Sequence, residues 1–81
     1  MIYHWRYVGG GGNQWLLVGE DGAAPAALNL LGDDVTWKAT GALVGEGGRD
    51  FDNLDKAKMA VEALAIVAGH EISSEIVYGG P

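Results

Sequence analysis

Residues 47–69 read GGRDFDNLDKAKMAVEALAIVAG, and this stretch decides the fold. It holds the one long helical pattern of the chain. Leu54, Ala57, Val61, Leu64, Ala65 and Ala68 recur at the spacing that lines one side of a helix. Asp52 or Asn53 is placed to cap the start, because a short polar side chain accepts from the N–H groups that the first turn leaves free. Asp55, three residues beyond Asp52, is placed to complete a capping box. Gly69 stands where the chain must leave in a left-handed conformation. Asp55, Lys58 and Glu62 are expected on the water side, Lys58 and Glu62 as an i,i+4 pair, with Met59 and Ile66 on the flank.

Working outward, the residues before this stretch read as sheet that needs a helix to cover it. Residues 2–8 (IYHWRYV) are aromatic and β-branched, a strand signal. Gly9 to Asn13 is a loop, and Gln14 to Val18 a second strand with Trp15 and Leu17 on one face. Asp21-Gly22 marks a turn. Ala23 to Leu31 alternates Ala26, Leu28 and Leu30 against Ala27 and Asn29; Pro25 makes that end an edge or a strand start. Gly32-Asp33-Asp34 is a turn. Val35, Trp37 and Ala39 alternate cleanly up to Thr40, and Ala42 to Val44 suggests a further short strand. Beyond the helix, Glu71 to Tyr78 alternates Ile72, Ser74, Ile76 and Tyr78 as a last strand, and residues 79–81 read as a frayed end. The expected architecture is α+β: one domain over residues 1–81, an antiparallel sheet of three to five strands with one α-helix packed on one face. The alanines of the helix then face the large residues of the sheet, which lets the two layers interdigitate.

Composition narrows the function. The net charge is −6, five Lys and Arg against eleven Asp and Glu. Phosphate-backbone binding draws its affinity from clustered cations, and this chain has no such cluster, so nucleic acid is not the expected partner. A charged partner is expected to be basic and proteinaceous. With no cysteine there is neither a disulfide framework nor a thiolate metal site, which suits a cytoplasmic protein. No signal-peptide pattern or membrane-length apolar run is present, so no membrane is expected.

The motifs point away from catalysis. The glycines at 9–12 are followed by a strand rather than a helix and have no nearby Lys, so they read as a hairpin loop and not a phosphate cradle. The run Asp50 to Asp55 lacks the glycine and closing glutamate of a calcium loop. His4 and His70 do not sit at zinc-site spacing, and Ser73 and Ser74 have no evident base. The expectation is no enzyme, no metal and no cofactor. Glu46, Asp50, Asp52 and Asp55 fall within ten residues with only Arg49 among them, and are the candidate partner-binding residues. Two of them, Asp52 and Asp55, also suit a helix N-terminus. Met59, Ile66 and an edge at Ala23 to Leu31 suggest a homodimer.

The order Tyr3-x-Trp5, Trp15-Leu-Leu, Trp37, then the run Gly48-Arg-Asp-Phe-Asp-Asn-Leu-Asp-Lys-Ala-Lys resembles the small sheet-then-helix proteins of phages and prophages, anti-CRISPR and other anti-defence proteins among them. The resemblance implies a host-directed inhibitor or accessory protein that acts by binding, in the host cytoplasm. The element order is also similar to the arm-binding domains of phage integrases, which read DNA with a basic sheet face. The alternatives are therefore a nucleic-acid-binding module using sheet aromatics, and a structural homo-oligomer.

Overall fold

The computed structural model describes residues 1–9, 13–32 and 35–78. The loop expected at residues 10–12, the turn at residues 33–34 and the frayed end at residues 79–81 lie outside the described residues. The elements run β1 (Ile2–Val8), β2 (Gln14–Gly19), β3 (Ala26–Leu31), β4 (Thr36–Thr40), β5 (Arg49–Phe51), α1 (Leu54–Val67) and β6 (Glu71–Tyr78). All six strands form one sheet in the order β5-β4-β3-β2-β1-β6. Neighbours from β1 to β5 are antiparallel, whereas β6 lies parallel to β1.

The fold is thus α+β with one helix, but the sheet is larger than three to five strands and is mixed. Two causes account for the difference. The three residues of β5 lie inside the glycine-rich, acidic lead-in to the helix, where no alternation can show. The direction of β6 follows from α1, because a parallel neighbour requires a crossover of about a dozen residues or more. The 14 residues of α1 supply it, carrying the chain from the β5 edge to the β1 edge. Ala23 to Leu31 is no edge, since β3 lies between β2 and β4. Ala42 to Val44 is a turn, in which the N–H groups of Val44 and Gly45 donate to the carbonyl of Gly41.

Both ends of α1 are closed by local chemistry. Asn53, in extended conformation, caps the start: its Oδ1 accepts from the Lys56 N–H at 2.8 Å. Lys56, not Asp55, then occupies the third helical position, so the Asp52–Asp55 capping box does not form. At the other end Gly69 adopts φ 91°, its N–H donates to the Ile66 carbonyl, and the His70 N–H donates to the Ala65 carbonyl. That paired arrangement satisfies the last carbonyls and turns the chain out of the helix. Glu71 N–H then donates to the Met1 carbonyl, starting the β1–β6 pairing.

The core lies between α1 and one face of the sheet. Strand register lines up its rows: Ile76, Trp5, Leu17 and Ala26 in one, Tyr7, Trp15, Leu28 and Ala39 in the next, Leu30, Trp37 and Phe51 in a third. Ala57, Val61 and Ala65 are the helix residues buried against them, and Leu54 and Leu64 are half-buried. Ala68 and Val35 are exposed, contrary to the periodicity, because each lies just beyond the end of its element. All three tryptophans are core residues. Among the described residues, the α1 backbone comes within 8 Å of β3, β4, β5 and β6 but not of β1 or β2. Trp5 and Trp15 rise into that wider gap. Lys58 and Glu62 close it, rather than standing in open water: Lys58 Nζ lies 4.4 Å from the Trp15 ring centre, and Glu62 Oε1 accepts from Trp5 Nε1 at 3.3 Å.

Candidate functional site

Among the described residues, the face of the sheet away from α1 has no layer over it. Its central row runs Asp50, Lys38, Asn29, Gln14, Val8, and the next runs Thr40, Ala27, Leu16, Arg6, Val77. Gln14 Nε2 donates to Asn29 Oδ1 at 2.9 Å across β2 and β3. This face carries polar residues and small or aliphatic ones; the three tryptophans are on the other side, under the helix. The aromatic platform that base stacking requires is therefore not presented here.

At one corner of this open face the β4–β5 connection forms a groove of about 580 Å³. Lys38 and Thr40 line it from β4, with Gly41, Ala42 and residues 45–48 of the connection. Two of its glycines are sterically required. A Cβ at Gly41 (φ 123°) would fall 2.3 Å from the Pro25 carbonyl oxygen, and one at Gly48 (φ 67°) would fall 2.5 Å from the Ala39 carbonyl oxygen. The Lys38 side chain passes over Gly48, its Cε 3.1 Å from where that Cβ would stand. A side chain at position 48 would displace Lys38 from the groove.

The four acidic candidates divide into two pairs. Glu46 lines the groove with Lys38, and Asp50 stands opposite Lys38 across the β4–β5 ladder, with Arg49 between the two carboxylates in the chain. Asp52 and Asp55 belong to the start of α1. Asp52 Oδ2 accepts from Lys56 Nζ at 3.1 Å, and this bond, with the attraction of the ammonium, holds the Asp52 carboxyl below its ordinary range. Asp55 is exposed in the first helical turn, where negative charge faces the free N–H groups. Among the described residues, no three His, Cys, Asp or Glu side chains gather as metal ligands. Lys38, Thr40 and the groove were not singled out from the sequence. The available signal was the alternation of Lys38 and Thr40 into a segment with glycines at 41, 45, 47 and 48.

β5 is an outer strand of the sheet, so Asp50 stands on a strand with one backbone edge open among the described residues. No helix of the described residues is long and apolar enough to cross a membrane. No protein-family model, curated protein or solved structure matches the chain.

Proposed function

We propose that the chain is a small acidic binding module, not an enzyme, which engages a basic protein segment at the β5 corner and so serves as an inhibitor or accessory factor in the cytoplasm. The observation that carries this reading is that Lys38 ties two carboxylates to one corner: Glu46 shares the groove with it, and Asp50 stands opposite it on the outer strand β5. An extended segment that adds to a sheet edge gains affinity from main-chain hydrogen bonds and specificity from every second side chain. Here those side chains would be Lys or Arg, meeting Glu46 and Asp50, with Asp52 and Asp55 extending the negative rim towards α1. The phage anti-defence resemblance fits such a role, and rests on element order alone.

A peptide of alternating Lys and Val tests the reading by surface plasmon resonance, against the same peptide with Glu for Lys. Binding is expected for the Lys peptide only. The Glu46→Lys/Asp50→Lys variant, with its fold checked by circular dichroism, should associate about tenfold more slowly or worse and with a flatter salt dependence, because rim charges act mainly on the on-rate. An unchanged on-rate and salt slope would remove this corner from the account. Tight binding of the wild type to duplex DNA at physiological salt would favour the nucleic-acid alternative instead.

A further inference from the structure

α1 is apolar on two opposite sides. Ala57, Val61 and Ala65 are buried against the sheet, yet Met59 and Ile66 are 69 % and 60 % exposed. At about 100° per residue, Met59, Ala63 and Ile66 fall on one narrow line directly away from the core, rather than on the flank, with exposed Val67 beside them. From Met59 to Ala68 the one charge is Glu62, and its carboxylate is turned aside to Trp5 Nε1. A helix that is apolar on both sides is normally covered on both.

We propose that a second copy of this chain covers the outer stripe, α1 packing antiparallel on α1 across a two-fold axis beside Ala63. A two-fold interface must be self-complementary, and this stripe is. The small Ala63 at the crossing lets the helices approach, and Met59 of each copy meets Ile66 and Val67 of the other. Charge selects the antiparallel sense. The last turn of α1 holds no basic residue, so the helix itself supplies no cation to its carbonyl end. Lys56 lies on the outer side one turn before Met59 and comes beside that end of the second copy. A parallel pair would instead bring the acidic starts of the two helices together, Asp52 and Asp55 of each.

The sheet edges are poorer meeting places. β6 is distorted where its register against β1 shifts between Tyr3 and Trp5, the Ser73 Oγ accepts from the Glu75 N–H there, and Glu71 and Glu75 add charge. Such features keep an edge from pairing with itself. β5 is only three residues long. The stripe is one helix wide, short of the roughly 800 Å² per partner of a standard interface, so the dimer is weak and concentration-dependent. With a charge of −6 on each copy, salt strengthens it. Binding of a basic segment at the β5 corner weakens with salt, so the two readings stand or fall separately.

Sedimentation equilibrium of the chain from micromolar to millimolar concentration, at low and high salt, reads the association. The mass should rise from monomer to dimer, further at high salt, and Met59→Glu and Ile66→Glu should each weaken the dimer about tenfold or more with helicity intact. The chain has no cysteine, so Ala63→Cys places a single thiol at the crossing, and Ala24→Cys one on the exposed β2–β3 connection. A short bismaleimide should link Ala63→Cys into dimers much faster than Ala24→Cys. A monomer at every concentration would overturn the proposal, as would a dimer indifferent to both glutamates or equal cross-linking of the two cysteine variants.

Discussion

The two faces of the sheet come from the same strands, yet they solve the burial problem differently. On the covered face the sheet supplies the bulk, in Trp5, Trp15, Leu17, Leu28 and Trp37, and the helix supplies small residues that let it settle among them. On the open face Leu16, Val18 and Ala27 are half-buried by their strand neighbours alone, among Arg6, Gln14, Asn29 and Lys38. An antiparallel meander tolerates one solvated face when its residues alternate in this way. The open face therefore needs no cover, whereas the outer stripe of α1, which is apolar without interleaved charge, does.

Leu17 and Leu16 break or sustain this contrast most directly, being the same residue type at adjacent positions of β2. Leu17 is fully buried under the helix. Leu17→Ala should cost about 2–5 kcal/mol, the lost transfer energy plus the cavity left behind. Leu16→Ala on the open face should cost about 1 kcal/mol, since its side chain is only partly buried and no cavity closes over it. Urea unfolding of both variants measures the difference. Equal costs would mean that the open face is covered by something in solution.

The sequence shows the contrast unevenly. β1 to β4 and α1 are legible because a period of two or of three to four residues survives along each. β5 is not, because three residues cannot display a period. The direction of β6 is not, because alternation reads the same for parallel and antiparallel neighbours. Lys58 and Glu62 fall by spacing on the flank of α1 next to the buried stripe; their contact with Trp15 and Trp5 depends on how far the rings stand off the sheet, which no helical wheel contains. At the candidate site, the nearness of Glu46 and Asp50 is visible in the chain itself. The groove that Glu46 lines is not, since Lys38 and Gly48 meet only through the fold of β4 and its connection to β5.

Lys58 sits on the seam between covered and solvated surface, and two substitutions sharpen its role. Lys58→Met keeps a flexible apolar stem over Trp15 and Trp5 but removes the cation. Loss of the cation–π attraction should cost about 0.5–2 kcal/mol. Lys58→Ala should cost more, because the stem that shields the rings goes as well, and tryptophan fluorescence should shift to the red as water reaches them. If both variants match the wild type in stability and emission, the seam is open in solution.

The smallest effect is expected at the most exposed contact, Asp52 with Lys56. Both side chains stand largely in water, at 75 % and 63 % exposure, so the pair is screened and its contribution is slight. Its sign is still determinate. The folded-state pKa of Asp52 lies below the ordinary 3.8, so the contact stabilises the protein above that pH and the contribution is lost as pH falls through the folded value. Asp52→Asn should lower the thermal midpoint slightly at pH 6 in dilute buffer. The gap should close in about 1 M salt, where screening acts within a few ångströms, and close again as the pH falls through the folded-state pKa and the wild-type carboxyl is itself protonated. Unlike Leu17→Ala, whose cost is apolar and should persist in salt, this variant separates surface electrostatics from core packing. A gap that survives both high salt and low pH would show that Asp52 acts through a hydrogen bond its amide cannot replace, and not through charge.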